Sequence, residues 1–286
     1  MKTTLCLLAI LCASLACRTS DRPIRVGSKN FSESVLLGEV AAQALEKEGL
    51  KVDRRFNLGG TFVCHRAMVA GELDVYPEYT GTAFTAILKE KPISDPAVVR
   101  ERVAREYKTR WRLAWSAPLG FENTFALIVR GEDARRLGLH KISDLANHGN
   151  LRPGFGYEFI AREDGFQGLV RAYGLHFEHP PAEMDLGLLY PALQSGKVDL
   201  IAGNSTDGLI AAVGGVVLED DSRYFPPYEA AFVVSERDWQ SGSAVRRALS
   251  RLSGRIDAAT MRKYNAKIDR DKRSPEQVAR ELLASL

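Results

Sequence analysis

The chain has 286 residues, 45% of them hydrophobic and 26% charged, with a formal net charge of +3. Those proportions exclude a disordered chain and leave room for a substantial core shared between two domains. Lys and Arg are scattered rather than gathered into a patch, which excludes a nucleic-acid surface.

At the N-terminus, Lys2 is followed by an apolar run from Leu5 to Ala16 that ends in Ser14-Leu15-Ala16-Cys17, the pattern of an export signal over residues 1–17. The run is too short to span a bilayer. Ala16 before Cys17 has the form of a bacterial lipoprotein cleavage site, at which Cys17 becomes the lipidated first residue. Ser14 stands where such sites usually carry Leu, and this keeps simple secretion as the alternative. No later segment is long and apolar enough for a membrane span. The protein is therefore expected outside the cytoplasm, in the periplasm or lipid-anchored on the outer face of the cytoplasmic membrane. Of the four cysteines, Cys6 and Cys12 lie inside the signal and Cys17 at its end, so only Cys64 remains in the folded part and no internal disulfide can form. Cys64 beside His65, in the apolar helical context of Phe62, Val63, Ala67 and Met68, is a poor ligand set for a metal and reads as a buried thiol.

The folded part begins with a strand, Ile24-Arg25-Val26, then the loop Gly27 to Glu33, then a helix with Val35, Leu36, Val40 and Ala44 on its apolar side. Ser32 is placed to cap that helix. A second strand follows over Val52 to Leu58, a turn at Gly59-Gly60-Thr61, and a helix from Phe62 to Ala70 ended by Gly71. Leu73 to Tyr76 alternates as a strand that Pro77 should stop. Ala83, Phe84, Ile87 and Leu88 then recur at helical spacing, with Thr80 or Thr82 as the cap. Tyr79 to Thr82 would thus form a loop at a helix N-terminus, where ligands sit in α/β proteins. Taken alone, the same residues also suit a Tyr covering a sheet edge beside an ordinary cap.

Residues 92 to 110 form a charged amphipathic segment, Trp111 to Pro118 a strand and turn, and Asn123 to Val129 a strongly β-prone run. Gly131 to Asp144 is polar and helical. A new first strand lies around Leu151 to Phe155, followed by Arg162-Glu163-Asp164-Gly165 ahead of a helix. Ala67 to Val75 is echoed by Ala192 to Leu200 at a constant offset of 125, each reading helix, Gly cap, strand. The offset places Asn204 under Tyr79, Ser205 under Thr80 and Asp207 under Thr82. Two similar α/β lobes with facing loops make a cleft. An apolar helix is expected after Gly208, the stiff Phe225-Pro226-Pro227-Tyr228 suits a crossing between lobes, and residues 241 to 286 are helical, with Ser274-Pro275-Glu276-Gln277 a helix start.

Six segments, Gly27 to Glu33, Gly59-Gly60-Thr61, Tyr76 to Thr82, Asn123 to Leu127, Ser205 to Gly208 and Phe225 to Tyr228, together and in order resemble the substrate-binding proteins of ABC importers for glycine betaine, choline, carnitine and related quaternary amines. The resemblance covers the chain after Cys17. It implies a two-lobed type II periplasmic-binding-protein fold of α/β class with the ligand cleft between the lobes, lobe 1 from 22–122 and 228–286 and lobe 2 from 123–227. It also implies an aromatic cage for a trimethylammonium group, which a cation without N–H groups requires. The cage positions here are Tyr79, Phe125, Asn204 and Tyr228. All four are usually Tyr, so Phe125 loses a hydroxyl and Asn204 loses the ring. Thr82, Lys29, Arg162 and Asp207 are implied at the rest of the ligand, with Lys29 and Arg162 suited to a carboxylate. The implied partners are a small quaternary amine, an ABC permease with its ATPase and, through the lipid, a membrane. No cofactor, metal or nucleic acid is implied, and a monomer is expected.

Three readings compete. A carrier that delivers a betaine to a permease fits the whole resemblance. An enzyme or a sensing module on the same fold is the second, but no nucleophile beside a base and no paired carboxylates fall in the cleft. The third is a binding protein of this fold for a larger trimethylammonium compound, such as ergothioneine, or for another small cationic solute, which Asn204 keeps open.

Overall fold

A computed structural model describes residues 22–286. The export-signal segment and Cys17 lie outside the described residues.

Two five-stranded sheets form two α/β lobes. The first contains β1 (Ile24–Gly27), β2 (Val52–Arg55), β3 (Val75–Tyr79), β4 (Leu113–Trp115) and β10 (Ala230–Ser235), in the order β2-β1-β3-β10-β4. The second contains β5 (Phe125–Arg130), β6 (Pro153–Gly156), β7 (Ala182–Met184), β8 (Leu200–Asn204) and β9 (Gly215–Val217), in the order β7-β6-β8-β5-β9. In each sheet three parallel strands are followed by one antiparallel strand, β10 or β5, that comes from the opposite lobe. The two crossings run side by side. Leu119 N–H donates to the Ala230 carbonyl at 2.8 Å, Ala230 N–H to the Phe121 carbonyl at 3.1 Å and Asn123 N–H to the Tyr228 carbonyl at 3.1 Å.

The repeat in the sequence is a repeat in space. Gly71 and Gly196 both have φ +71° and end their helices as left-handed caps. Three residues on, Asp74 accepts the Arg25 N–H at 2.8 Å and Asp199 the Arg152 N–H at 3.1 Å, and each carboxylate also takes the guanidinium of the same arginine. Burial raises both carboxyls, but the hydrogen bonds, Arg25 and Arg22 on one and Arg152 and Arg130 on the other, outweigh it and hold them below the usual carboxylate range. Each clamp ties the start of a central strand to its parallel neighbour.

The structure departs from local expectation at β3, at the expected caps and after Gly208. β3 runs through Pro77 to Tyr79 and is buried throughout. Pro77 pairs with Phe232, whose own N–H and carbonyl bond to Ser116 on the other side, at 3.0 and 2.9 Å. Pro77 therefore faces a non-hydrogen-bonded position, and its missing donor costs the ladder nothing. The caps expected from Ser32, Thr80 and Thr82 are absent: Ser32 is the first residue of the helix Ser32–Lys47 and its hydroxyl donates to Asp269. Thr80 instead joins the crossing, with N–H to the Glu229 carbonyl and Oγ1 to the Pro227 carbonyl. Gly81 lets the crossing approach, since a Cβ there would lie 2.7 Å from the Pro227 oxygen and the Tyr228 ring. After Gly208 the chain forms turns rather than an apolar helix. Cys64 is fully buried and burial pushes its thiol up to about 12; the neighbouring His65, packed edge-on to Tyr107 and Trp111, is pushed down to about 4.

Candidate ligand site between the lobes

β3 and β8 end facing each other, and with the loops after β1 and β6 they enclose a cavity of about 220 Å³. Seven of the eight residues expected at the ligand line it: Lys29, Tyr79, Thr82, Phe125, Arg162, Asn204 and Tyr228. Asp207 does not. It stands one layer back, where it accepts the Asn204 backbone N–H at 2.9 Å, the Asn204 amide at 3.3 Å and the Tyr190 hydroxyl at 2.7 Å. Burial raises its carboxyl to about 6 against those bonds.

The aromatic wall is larger than the motifs foretold. Phe125 meets Phe159 edge-on at 4.8 Å and Tyr228 at 6.0 Å, and Phe31 stacks on Tyr79 at 6.3 Å. Phe31, Tyr157 and Phe159 also line the cavity. Phe31 sat inside a conspicuous loop motif, but nothing in its spacing marked it as a ring facing Tyr79.

Tyr79 and Tyr228 are each held by a buried carboxylate. The Tyr79 hydroxyl donates to Glu33 at 2.6 Å and that of Tyr228 to Asp164 at 2.7 Å. A phenol that donates to a carboxylate keeps its ring orientation and a richly negative face. Glu33, placed by sequence in a first helical turn, is a hub missed at that level. Fully enclosed, it also accepts from Asn123 at 2.8 Å, Thr206 at 2.5 Å and Asn265 at 2.7 Å, joining the first lobe, a crossing, the second lobe and a C-terminal helix. Burial raises its carboxyl, and these four donors oppose the rise.

The two cations expected at a carboxylate have partners of their own. Lys29 Nζ lies 2.5 Å from Glu78 Oε1 and 5.1 Å above the Tyr79 ring. Arg162 gives Nε and Nη2 to Asp164, sits with its guanidinium 4.8 Å from the Phe125 ring, and points Nη1 at Thr82 Oγ1 across the cleft, 3.4 Å away. Asp164 stays below its usual range because Arg162, with Thr85 and Tyr228, outweighs the effect of burial. Lys29 and Arg162 line the cavity beside the acids Glu158 and Asp185, while Glu33, Glu78 and Asp164 are buried behind the lining, bonded to Tyr79, Lys29 and Arg162. The balance favours a guest with a cationic part.

The lobes also touch directly. Glu158 of the second lobe accepts the Thr61 N–H at 2.5 Å at the start of the helix Thr61–Val69, and Thr85 Oγ1 lies 2.5 Å from Asp164. The cavity is therefore closed on two flanks by contacts that opening of the lobes would break.

Two α/β lobes joined by paired crossings, with an aromatic and negatively biased cavity between them, define a two-lobed solute-binding protein. The chain belongs to the family described as the substrate binding domain of ABC-type glycine betaine transport systems, which matches residues 22–285. It is a family of transport substrate-binding proteins, not of enzymes. The ergothioneine transport permease/ergothioneine binding protein EgtU of Helicobacter pylori (strain G27) is 35% identical over 93% of this chain, which spans 48% of that protein's length. A glycine-betaine-binding protein of Pseudomonas aeruginosa is 34% identical over 96% of this chain and 92% of its own. The crystal structure of a glycine betaine/carnitine/choline ABC transporter protein superposes with a TM-score of 0.75 at 31% identity, covering 92% of this chain and 98% of the other. Among the described residues no helix is long and apolar enough to cross a membrane.

Proposed function

We propose that this protein captures a trimethylammonium betaine in the cavity between its lobes and delivers it to an ABC permease. The observation that carries the reading is the pair of rings, Tyr79 and Tyr228, walling one cavity with Phe125 while their hydroxyls are tied to Glu33 and Asp164. A quaternary ammonium has no N–H to donate, so ring faces and nearby negative charge are what can hold it. Thr82 and the free edge of Arg162 serve the carboxylate end, with Lys29 contributing field rather than a free contact. Asp207 acts through Asn204. Phe125 supplies a ring from the strand beside Asn204, and Asn204 itself touches whatever lies beyond the ammonium.

The names of the relatives support glycine betaine, choline, carnitine or a larger trimethylammonium compound such as ergothioneine as ligand classes. Calorimetry with glycine betaine, choline, carnitine and ergothioneine, against dimethylglycine as a control, tests the reading; binding of none of the quaternary compounds would overturn it. A turnover assay on the bound compound separates carrier from enzyme. The protein is exported and held at the membrane through Cys17, works as a monomer, and divides into lobes over 22–122 with 228–286 and over 123–227. Cys17→Ser should release it from the membrane fraction, and its retention there would exclude the lipid as the anchor.

A further inference from the structure

One side of the cavity reaches solvent. Of its lining residues, Asn30, Tyr157, Asp185 and Leu186 are exposed, Tyr157 by 56%, while Lys29, Tyr79, Thr82, Arg162 and Tyr228 are buried. Strand register brings two of the exposed residues together. β6 and β7 run parallel with Gly156 opposite Met184, so Tyr157 and Asp185, the residues that follow, leave adjacent strands side by side, about 5 Å apart at the backbone. Leu186 packs on Gly156, where a Cβ would lie 2.5 Å from its Cδ2, and this keeps the two strand exits close. β7 is the edge of its sheet. The strand ends of the second sheet therefore run from Phe125 and Asn204 in its middle to Tyr157 and Asp185 at its rim.

Neither side chain at the rim is tied to the fold. Asp185 stands at the N-cap of the helix Leu186–Gln194 but makes no side-chain bond to it. Among the described residues its carboxylate has no hydrogen bond or ion pair, and Tyr157 has neither a bond to its hydroxyl nor a ring contact. The other charged lining residues are engaged, Lys29 with Glu78, Arg162 with Asp164 and Glu158 with the Thr61 N–H. An open ring beside an unpaired carboxylate offers the two attractions that hold a cation without N–H groups.

We infer that Tyr157 and Asp185 form an entry subsite, which takes the trimethylammonium head of the incoming solute at the mouth and passes it inward to the cage. The inference rests on the betaine reading of the cavity. Both residues belong to one sheet edge, so the pair persists when the lobes part. The cage takes Tyr79 from the first sheet and Phe125 from the second, and is complete only on closure. The subsite acts on association, because a charge at the mouth raises the local concentration of the cation.

The test measures association and dissociation rates of glycine betaine, choline, carnitine and ergothioneine by stopped flow. For each compound that the wild type binds, Asp185→Asn should slow association about threefold or more at about 0.01 M salt, where charges act over about 30 Å. The loss should vanish at about 1 M salt, where they act over about 3 Å. Asp185→Glu, which keeps the charge, should keep the rate. Tyr157→Ala should slow association about twofold to fivefold, the range of an exposed cation–π contact, and Tyr157→Phe should not. An association rate unmoved by Asp185→Asn at low salt, or losses in Asp185→Asn and Tyr157→Ala that sit in dissociation alone, overturns the entry subsite while leaving the cage intact. Binding of none of the four compounds overturns the betaine reading and the subsite with it.

Discussion

The strand ends of β3 and β8 are built alike and finished differently. Each is preceded by a left-handed glycine and anchored by an aspartate that clamps an arginine of the neighbouring strand. In the first lobe the strand ends on Tyr79 and its antiparallel partner at that level is Ala230; in the second it ends on Asn204 and the partner is Phe125. The ring has moved one strand sideways, and the small or polar residue has moved with it to the other position. A shared scaffold fixes the backbone, and the residue at its tip is free to set what the cavity accepts.

Removing the clamps should give the largest effects. Asp74 is fully buried and serves Arg25, Arg22 and Arg237, whereas Asp199 is 12% exposed and one of its arginines, Arg152, is half-exposed. Asp74→Ala should cost about 2–4 kcal/mol of stability and Asp199→Ala less, because stranded donors near the surface regain water. Denaturant unfolding of both variants checks the order, and equal losses would contradict it. Both clamps should also weaken in acid. Their carboxyls are held below the usual value, so their contribution is complete above the unfolded carboxylate pKa of about 3.9 and is lost as pH falls through the lower folded values.

The cage tyrosines come next. Tyr79→Ala and Tyr228→Ala should each weaken betaine binding from about fivefold to about thirtyfold, the range of a desolvated cation–π contact. Tyr79→Phe sharpens the comparison, since it keeps the ring and frees Glu33 from one of its four donors. Its affinity should stay within about threefold of wild type while its melting temperature drops. A Tyr79→Phe affinity as poor as that of Tyr79→Ala would show that the hydroxyl, not the ring face, is what the ligand needs.

The smallest expected effect concerns Asp207, which belongs to the second lobe alone. Its carboxyl is held up at about 6. A raised carboxyl stabilises the fold fully below its unfolded pKa of about 3.9, and the contribution declines as pH rises through about 6. Wild-type stability should therefore carry a shallow loss between about pH 4 and 7, opposite in sign to that of the clamps, which Asp207→Asn removes. Thermal melts across that range measure it, and an unchanged slope in the variant would place the titration elsewhere.

What could be read along the chain was what short-range chemistry dictates. The repeated helix, glycine cap and strand at Gly71 and Gly196 is local, as is the Ser274 cap with Pro275 behind it, whose Oγ accepts the Gln277 N–H. Ordered motifs also placed seven of the eight expected residues around one cavity. Local rules failed where a distant segment supplied the missing partner. Pro77 stops no strand because Phe232 turns its own hydrogen bonds to Ser116, and Ser32 and Thr80 cap nothing because Asp269 and the crossing claim their hydroxyls.

The sequence by itself determined the two lobes and their order, since glycine conformations, strand periodicity and a repeated aspartate act within a few residues of one another. Only the tertiary structure decided that Glu33 is the hub and that Asp207 stands behind Asn204 rather than at the cage. Glu33 meets Thr206 across 173 residues and Asn265 across 232. Bonds of that separation leave no periodicity in the chain; they exist because burial removes water from a carboxylate and leaves it to be satisfied by whatever donors the closed fold brings within reach.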